Sequence, residues 1–324
     1  MEDDKDAGSD SDVNEEVETE VDISALQAQI AANPSDYEAH SKLVAGLRRA
    51  GELDKLRHAR EAMSKAFPLP EALWHEWTQD EAKLAATKQQ KENVLKLFQR
   101  SFKDYLCKTH SCDRTAVPLL LSYANFAESV FETEKDKVRE VYEEAITKAG
   151  LHMLQGVEVW KAWVTFEESH QKKGDKEQTE RIRKLYRRFL KLPFVGMEEV
   201  MSAYFSWEKT HSGKDVEEGF LREYRKAKTE LDERTSFEDA IIALPAPESA
   251  GAVSAEHWIA WESYLDFEIQ KSAKNNPLRA QILFERAISQ CFLLPSSWQK
   301  YVQFLEEHLR DFKLILSVCE RAVR

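Results

Sequence analysis

Four glutamates stand at equivalent places along the chain: Glu81, Glu167, Glu208 and Glu268. Paired carboxylates are the raw material of general acid–base chemistry. A catalytic carboxylate, however, is not expected to recur with the fold. The recurrence instead predicts a structural pairing with a base or backbone group, with Arg100, Arg188, Arg286 and Arg321 as candidate partners. Cys107-Lys108-Thr109-His110-Ser111-Cys112 brings three possible metal ligands together. A structural zinc site needs four and no second Cys pair is present, so this segment reads as a loop. Cys291 and Cys319 fall at helical positions and read as small apolar residues. His75-Glu76 lacks the second His of a zinc-protease helix, and the ten glycines form neither G-x-G-x-x-G nor G-x-x-x-x-G-K-[ST]. The expectation is no catalytic residue, no metal and no cofactor.

Two basic clusters offer a different chemistry. Arg181, Arg183, Lys184, Arg187, Arg188 and Lys191 crowd one helix, and Arg222, Arg225, Lys226 and Lys228 a second. Both could meet RNA phosphates or an acidic partner. The competing reading is a solvated helix face with i,i+4 partners. The Trp and Tyr residues could likewise stack on unpaired bases, but their strict helical spacing favours a core role.

That spacing defines the elements. Trp74 and Trp77 are three residues apart, as are Trp160 and Trp163, and Trp258 and Trp261. Three residues is nearly one helical turn, so each pair shares a face. The stripe continues in Trp160-Trp163-Phe166, Met201-Tyr204-Trp207 and Trp261-Tyr264-Phe267, each followed by Glu. Leu120-Tyr123-Phe126 and Trp298-Tyr301-Phe304 are degenerate copies. We term this helix A. A second pattern follows each copy, clearest in Phe284-Glu285-Arg286-Ala287 and repeated around Tyr142, Tyr186, Tyr224, Phe98 and Cys319; we term it helix B. Its aromatic residue supplies bulk, and its Ala lets another helix approach. A weaker first pair lies around Tyr37, His40, Leu43 and Met63.

Most steps between equivalent positions are 35 to 46 residues, and B trails A by 18 to 23. Two helices per period of that length predict an all-α fold, an α-solenoid of antiparallel helix pairs with about seven units. One step is 60 residues and contains Pro245, Pro247 and Gly251. The predicted division is therefore repeats over 23–235, a break over 236–256 and further repeats over 257–324. Residues 1–22 carry 11 acidic residues against one Lys, which accounts for −10 of the total net charge of −12. With almost nothing to bury, this leader is expected to be disordered, with Ser9 and Ser11 available for phosphorylation. No apolar run approaches the roughly 18 residues of a membrane span.

The W-x2-W-x2-F-E and [YF]-E-R-A pair resembles the HAT repeat family (half-a-tetratricopeptide, suppressor-of-forked type). The segments Gly51-Glu52-Leu53, Phe67-Pro68-Leu69-Pro70-Glu71-Ala72-Leu73-Trp74, Gly150-Leu151-His152-Met153 and Ile282-Leu283-Phe284 resemble its U4/U6 recycling subfamily. The resemblance implies a nuclear, non-enzymatic scaffold in RNA processing. It would serve pre-mRNA splicing through U4/U6 ribonucleoprotein assembly or recycling, and spliceosomal or other RNA-processing proteins would be its partners. Direct RNA binding through the helix-B faces is the alternative. Full-length members continue with further repeats, an import segment and RNA-recognition motifs. The chain therefore reads as a fragment ending inside its seventh unit, with homodimerisation expected only where further repeats follow. Its last helix is expected to expose Val318, Ala322 and Val323.

Overall fold

The computed structural model describes residues 22–67, 69–102, 116–213, 215–244, 254–272 and 275–323. The acidic leader up to residue 21 with Ser9 and Ser11, the Cys107–Cys112 segment and the Pro/Gly-rich stretch 245–253 lie outside the described residues. The described residues form fifteen helices and no strand. They fall into two compact units divided after Pro68.

The first unit holds α1 (Ile23–Ala32), α2 (Tyr37–Ala50) and α3 (Leu53–Ala66). Short polar side chains start the first two helices by satisfying amides that have no intrahelical acceptor. The Asp22 carboxylate accepts from the Ser24 and Ala25 amides, and Asp36 accepts from Ala39. Gly51 closes α2 at φ 69°, a left-handed conformation that a Cβ would strain. Leu43, Val44, Leu47, Leu56 and Met63 form the core, and Phe67 meets Tyr37 edge-on at 5.3 Å.

The second unit is a stack of helix pairs: α4 (Glu71–Leu84) with α5 (Lys88–Ser101), α6 (Ala116–Val130) with α7 (Lys135–Ala149), α8 (Gly156–Ser169) with α9 (Lys176–Phe189), α10 (Met197–Ser212) with α11 (Glu218–Ile242), α12 (Ala255–Ser272) with α13 (Pro277–Cys291), and α14 (Pro295–Phe304) with α15 (Phe312–Ala322). Each helix B also packs on the helix A that follows it. Between α14 and α15 the chain makes a π-helical turn over Leu305–Leu309 and reverses at Arg310, φ 54°. Gly150 ends α7 where a Cβ would lie 2.4 Å from the Ile146 carbonyl, so only glycine fits this close approach.

Two expectations are corrected. Residues 236–242 are helical and belong to α11, which runs for 25 residues. The long sequence step is thus partly taken up by an extended helix, and the expected break starts later than residue 236. Val318 is fully buried against Phe284, Cys291, Tyr301 and Phe304. The face of α15 that meets solvent instead carries Phe312 and Leu316, together with Ala322 and Val323.

Candidate functional site: clasps between repeats and a basic-rimmed groove

The aromatic residue of each helix B wedges against the second and third stripe residues of the next helix A. Phe98 meets Tyr123 and Phe126 at 5.4 and 6.0 Å. Tyr142 meets Trp163 and Phe166 at 6.0 and 5.7 Å. Tyr186 meets Tyr204 and Trp207 at 5.1 and 5.8 Å, and Phe284 meets Tyr301 and Phe304 at 4.9 and 5.0 Å. Residues three apart project from one helix face in neighbouring turns, so they straddle a single inserted ring. This is why the stripe has its spacing. In α11 the wedge is Phe237, at 5.1 Å from Tyr264 and 4.9 Å from Phe267. Tyr224, the anchor expected from sequence, is only half-buried, while Phe220 contacts Tyr204 and Ala227 is buried. Phe237-Glu238-Asp239-Ala240 is the signal that identifies the wedge.

Trp74, Trp77, Trp160, Trp163, Trp207 and Trp261 are all buried, as are Tyr142, Tyr186, Tyr204, Tyr264, Tyr301, Phe166, Phe284 and Ala287. Phe267 and Trp298 are partly buried against the same core. These rings face other protein rings and are not open to stack on bases.

The glutamate after the stripe receives an arginine from the preceding helix B. The Arg139 guanidinium donates to both Glu167 oxygens at 2.8 and 2.9 Å, with further donors in Gln178 at 2.7 Å and the Trp163 indole at 3.1 Å. Arg183 donates to Glu208 at 2.8 to 3.1 Å, and Arg234 to Glu268 at 2.8 and 3.2 Å. Each arginine sits three residues before the wedge aromatic. Burial would raise the carboxyls of Glu167 and Glu208, but the facing guanidinium and its neighbouring donors outweigh it and hold both below the usual carboxylate range.

Three of the arginines proposed from sequence as partners of those glutamates pair at a different point. Arg188 donates to Glu143 at 2.7 and 2.8 Å, Arg286 to Glu238 at 2.7 Å twice, and Arg321 to Glu285 at 2.9 and 3.1 Å. In each case the Glu follows the wedge aromatic of one helix B and the Arg lies on the next helix B. The Arg also stands over the first stripe residue of its own unit: Arg188 over Trp160 at 5.2 Å, Arg286 over Trp261 at 5.4 Å and Arg321 over Trp298 at 5.3 Å. Arg100 lies over Trp74 in the same way at 5.6 Å. The Glu and Arg of the [YF]-E-R-A pattern are therefore the two halves of a clasp between successive units, with a cation–π contact beneath it.

The clasps account for much of the basic clusters. Arg183 and Arg188 are clasp residues. Arg187 donates to the Tyr204 hydroxyl at 3.0 Å and to Glu217 at 3.2 Å. Lys191 pairs with Glu223 at 2.6 Å, Arg181 with Glu177 at 3.1 Å, Arg225 with Glu218 at 2.7 Å, and Lys228 with Glu198. Lys184, Arg222 and Lys226 are exposed and form no ion pair among the described residues. Lys184, Arg187, Arg188 and Lys191 nevertheless share one feature: they rim a groove of about 700 Å³ lined by Ile146, Leu151, Trp160, Leu192 and Leu278.

Cys291 is buried and its thiol is pushed up to about 12, which keeps it protonated and inert. Among the described residues no cluster of three or more His, Cys, Asp or Glu is placed to hold a metal, and no helix is long and apolar enough to cross a membrane.

The wedge, the stripe and the clasps together define a helical-repeat protein whose recurring residues join one helix pair to the next. The chain belongs to the suppressor of forked (Suf) family, whose model matches residues 21–324. It is 34% identical over 307 residues to "Spliceosome associated factor 3, U4/U6 recycling protein" of Mus musculus, covering 94% of this chain and 29% of that protein. It is 24% identical to "Protein suppressor of forked" of Drosophila melanogaster, over 88% of this chain and 37% of that one. To "mRNA 3'-end-processing protein RNA14" of Yarrowia lipolytica it is also 24% identical, over 85% and 35%. The chain spans less than a third of the length of the splicing relatives that it matches.

Proposed function

We propose that the chain is a non-enzymatic scaffold for RNA-processing assemblies, acting in the nucleus by docking partner proteins on the surface of its helix pairs. One observation carries this reading. Three of the four repeating carboxylates and the aromatic stripes are taken up in repeat-to-repeat contacts: Glu167 by Arg139, Glu208 by Arg183, Glu268 by Arg234, and the Trp stripes by wedges and arginines. What is left for function is an extended surface. The relatives, a U4/U6 recycling protein and an mRNA 3'-end-processing protein, support a setting in splicing and mRNA 3'-end processing. Spliceosomal proteins are the partners that we assign to the chain.

Direct RNA binding is the second reading, favoured by the exposed cations Lys184, Arg222 and Lys226, which form no ion pair among the described residues. Cross-linking in nuclear extract tests the two together. Chemical cross-links from the second unit to RNA-processing proteins support the scaffold. Ultraviolet cross-links to RNA at these three residues, with no protein cross-links, support the alternative.

A further inference from the structure

The groove beside α9 joins residues distant in sequence. Ile146 comes from α7, Leu151 from the connection after it, Trp160 from α8, Leu192 from the connection after α9, and Leu278 from the start of α13. Its volume, about 700 Å³, suits one or two bulky side chains. Its floor is aliphatic and aromatic. Among the described residues its charged lining consists of Lys184, Arg187, Arg188 and Lys191, with no carboxylate. The acids that pair with three of these cations, Glu143, Glu217 and Glu223, lie outside the lining. Lys184 has no ion pair among the described residues, and Leu278 is half exposed although it is a large aliphatic residue.

We infer that this groove docks an acidic peptide segment of a partner protein, with a leucine or aromatic side chain of that segment seated between Leu192 and Leu278 and its carboxylates on Lys184, Arg188 and Lys191. The inference rests on the scaffold reading and deepens it by giving the partner's chemistry. Charge complementarity selects an anion, because the described lining residues include four cations and no acid, and Lys184 among them has no ion pair within the described residues. The floor selects a peptide over an RNA strand, since bases stack on open aromatic faces and the one ring here, Trp160, is buried beneath Arg188, which leaves the aliphatic Leu151, Leu192 and Leu278 to receive an apolar side chain. An anchored apolar side chain within a charged rim is also the usual anatomy of a small protein–peptide interface.

The test is fluorescence polarisation with the full chain and a labelled twelve-residue peptide of Asp and Glu around a central Leu-Trp pair. Lys184→Glu and Leu278→Asp alter exposed side chains, and an unchanged thermal midpoint confirms that each variant is folded. The expected result is saturable binding, weakened at least tenfold by each variant, by replacing Leu-Trp with Ser-Ser in the peptide, and by raising the salt concentration to 0.5 M. The absence of saturable binding, or equal affinity for wild type and both variants, overturns the inference. A labelled oligouridine that binds more tightly than the peptide and loses affinity in the same variants also overturns it. Failure here leaves the scaffold reading standing if RNA-processing proteins still co-purify with the wild-type chain after nuclease treatment. Loss of those proteins removes the scaffold reading itself.

Discussion

The guanidinium of Arg286 meets the carboxylate of Glu238 edge to edge, with two N–O distances of 2.7 Å, across one full helix pair. Both side chains are buried, at 8% and 3% exposure, and the Tyr264 hydroxyl donates to the same carboxylate at 3.1 Å. Two parallel charge-assisted bonds in a buried site are strong, but breaking one partner also strands the other. Arg286→Met or Glu238→Gln is therefore expected to cost about 3 kcal/mol in chemical denaturation. The double variant is expected to cost less than the sum of the two by at least about 1 kcal/mol. Strict additivity in the cycle would mean that the clasp does not couple the two units.

Trp163 is buried between Trp160, Tyr142 and its own Glu167. Trp163→Ala removes a large ring from a packed interface and leaves the Tyr142 wedge without one of its walls. The expected loss is about 3–5 kcal/mol. Ile259, 60% exposed on α12, is the control, and Ile259→Ala is expected to change the midpoint by less than about 0.5 kcal/mol.

Acid should unlock the clasps. Glu167 and Glu208 have folded-state carboxyls held below the ordinary value of 4.5, so the unfolded chain binds their protons first as pH falls. Their contribution is fully present above that value and is lost as pH drops through the lower folded values. The denaturation midpoint should fall steeply below about pH 4.5. Glu167→Gln should be less stable than wild type at neutral pH, with a shallower decline in acid.

Charge reversal should separate structural from free cations. Arg188→Glu breaks the pair with Glu143 and removes the cation from above Trp160, so it should lower the thermal midpoint. Lys184→Glu, Arg222→Glu and Lys226→Glu touch exposed groups with no ion pair among the described residues and should each shift stability by less than about 0.5 kcal/mol. Thermal unfolding of the four variants checks this. Equal losses in all four would place the basic faces in the core contacts.

The repeat was legible because its period is a physical consequence of packing. A ring inserted between two turns needs residues three apart, and the pairs Trp163/Phe166 and Tyr301/Phe304 display that need directly. What stayed hidden follows equally from the physics. Even spacing points to Tyr224 and not to Phe237, because a helix of 25 residues carries both and spacing alone cannot rank them. Arg139 and Arg234 carry no sequence signal of their own, and Arg183 reads only as part of a basic cluster, because all three lie one turn before the motif and reach forward to the next unit. The Glu and Arg of the motif were visible as residue types, but pairing them required knowing that helix B meets the following helix B. Val318 looked like an exposed terminal residue until the register of α15 turned it inward and left Phe312 and Leu316 outside. The groove was beyond reach from sequence, since Leu278 is more than 80 residues from Lys191.

Purification of the tagged chain from nuclear extract, with and without nuclease, tests the scaffold most directly. The account predicts that RNA-processing proteins remain bound after the RNA is digested, in amounts close to those in the untreated sample. Their disappearance on digestion would contradict it, because RNA would then be the tether and the helical surface would not be docking proteins at all.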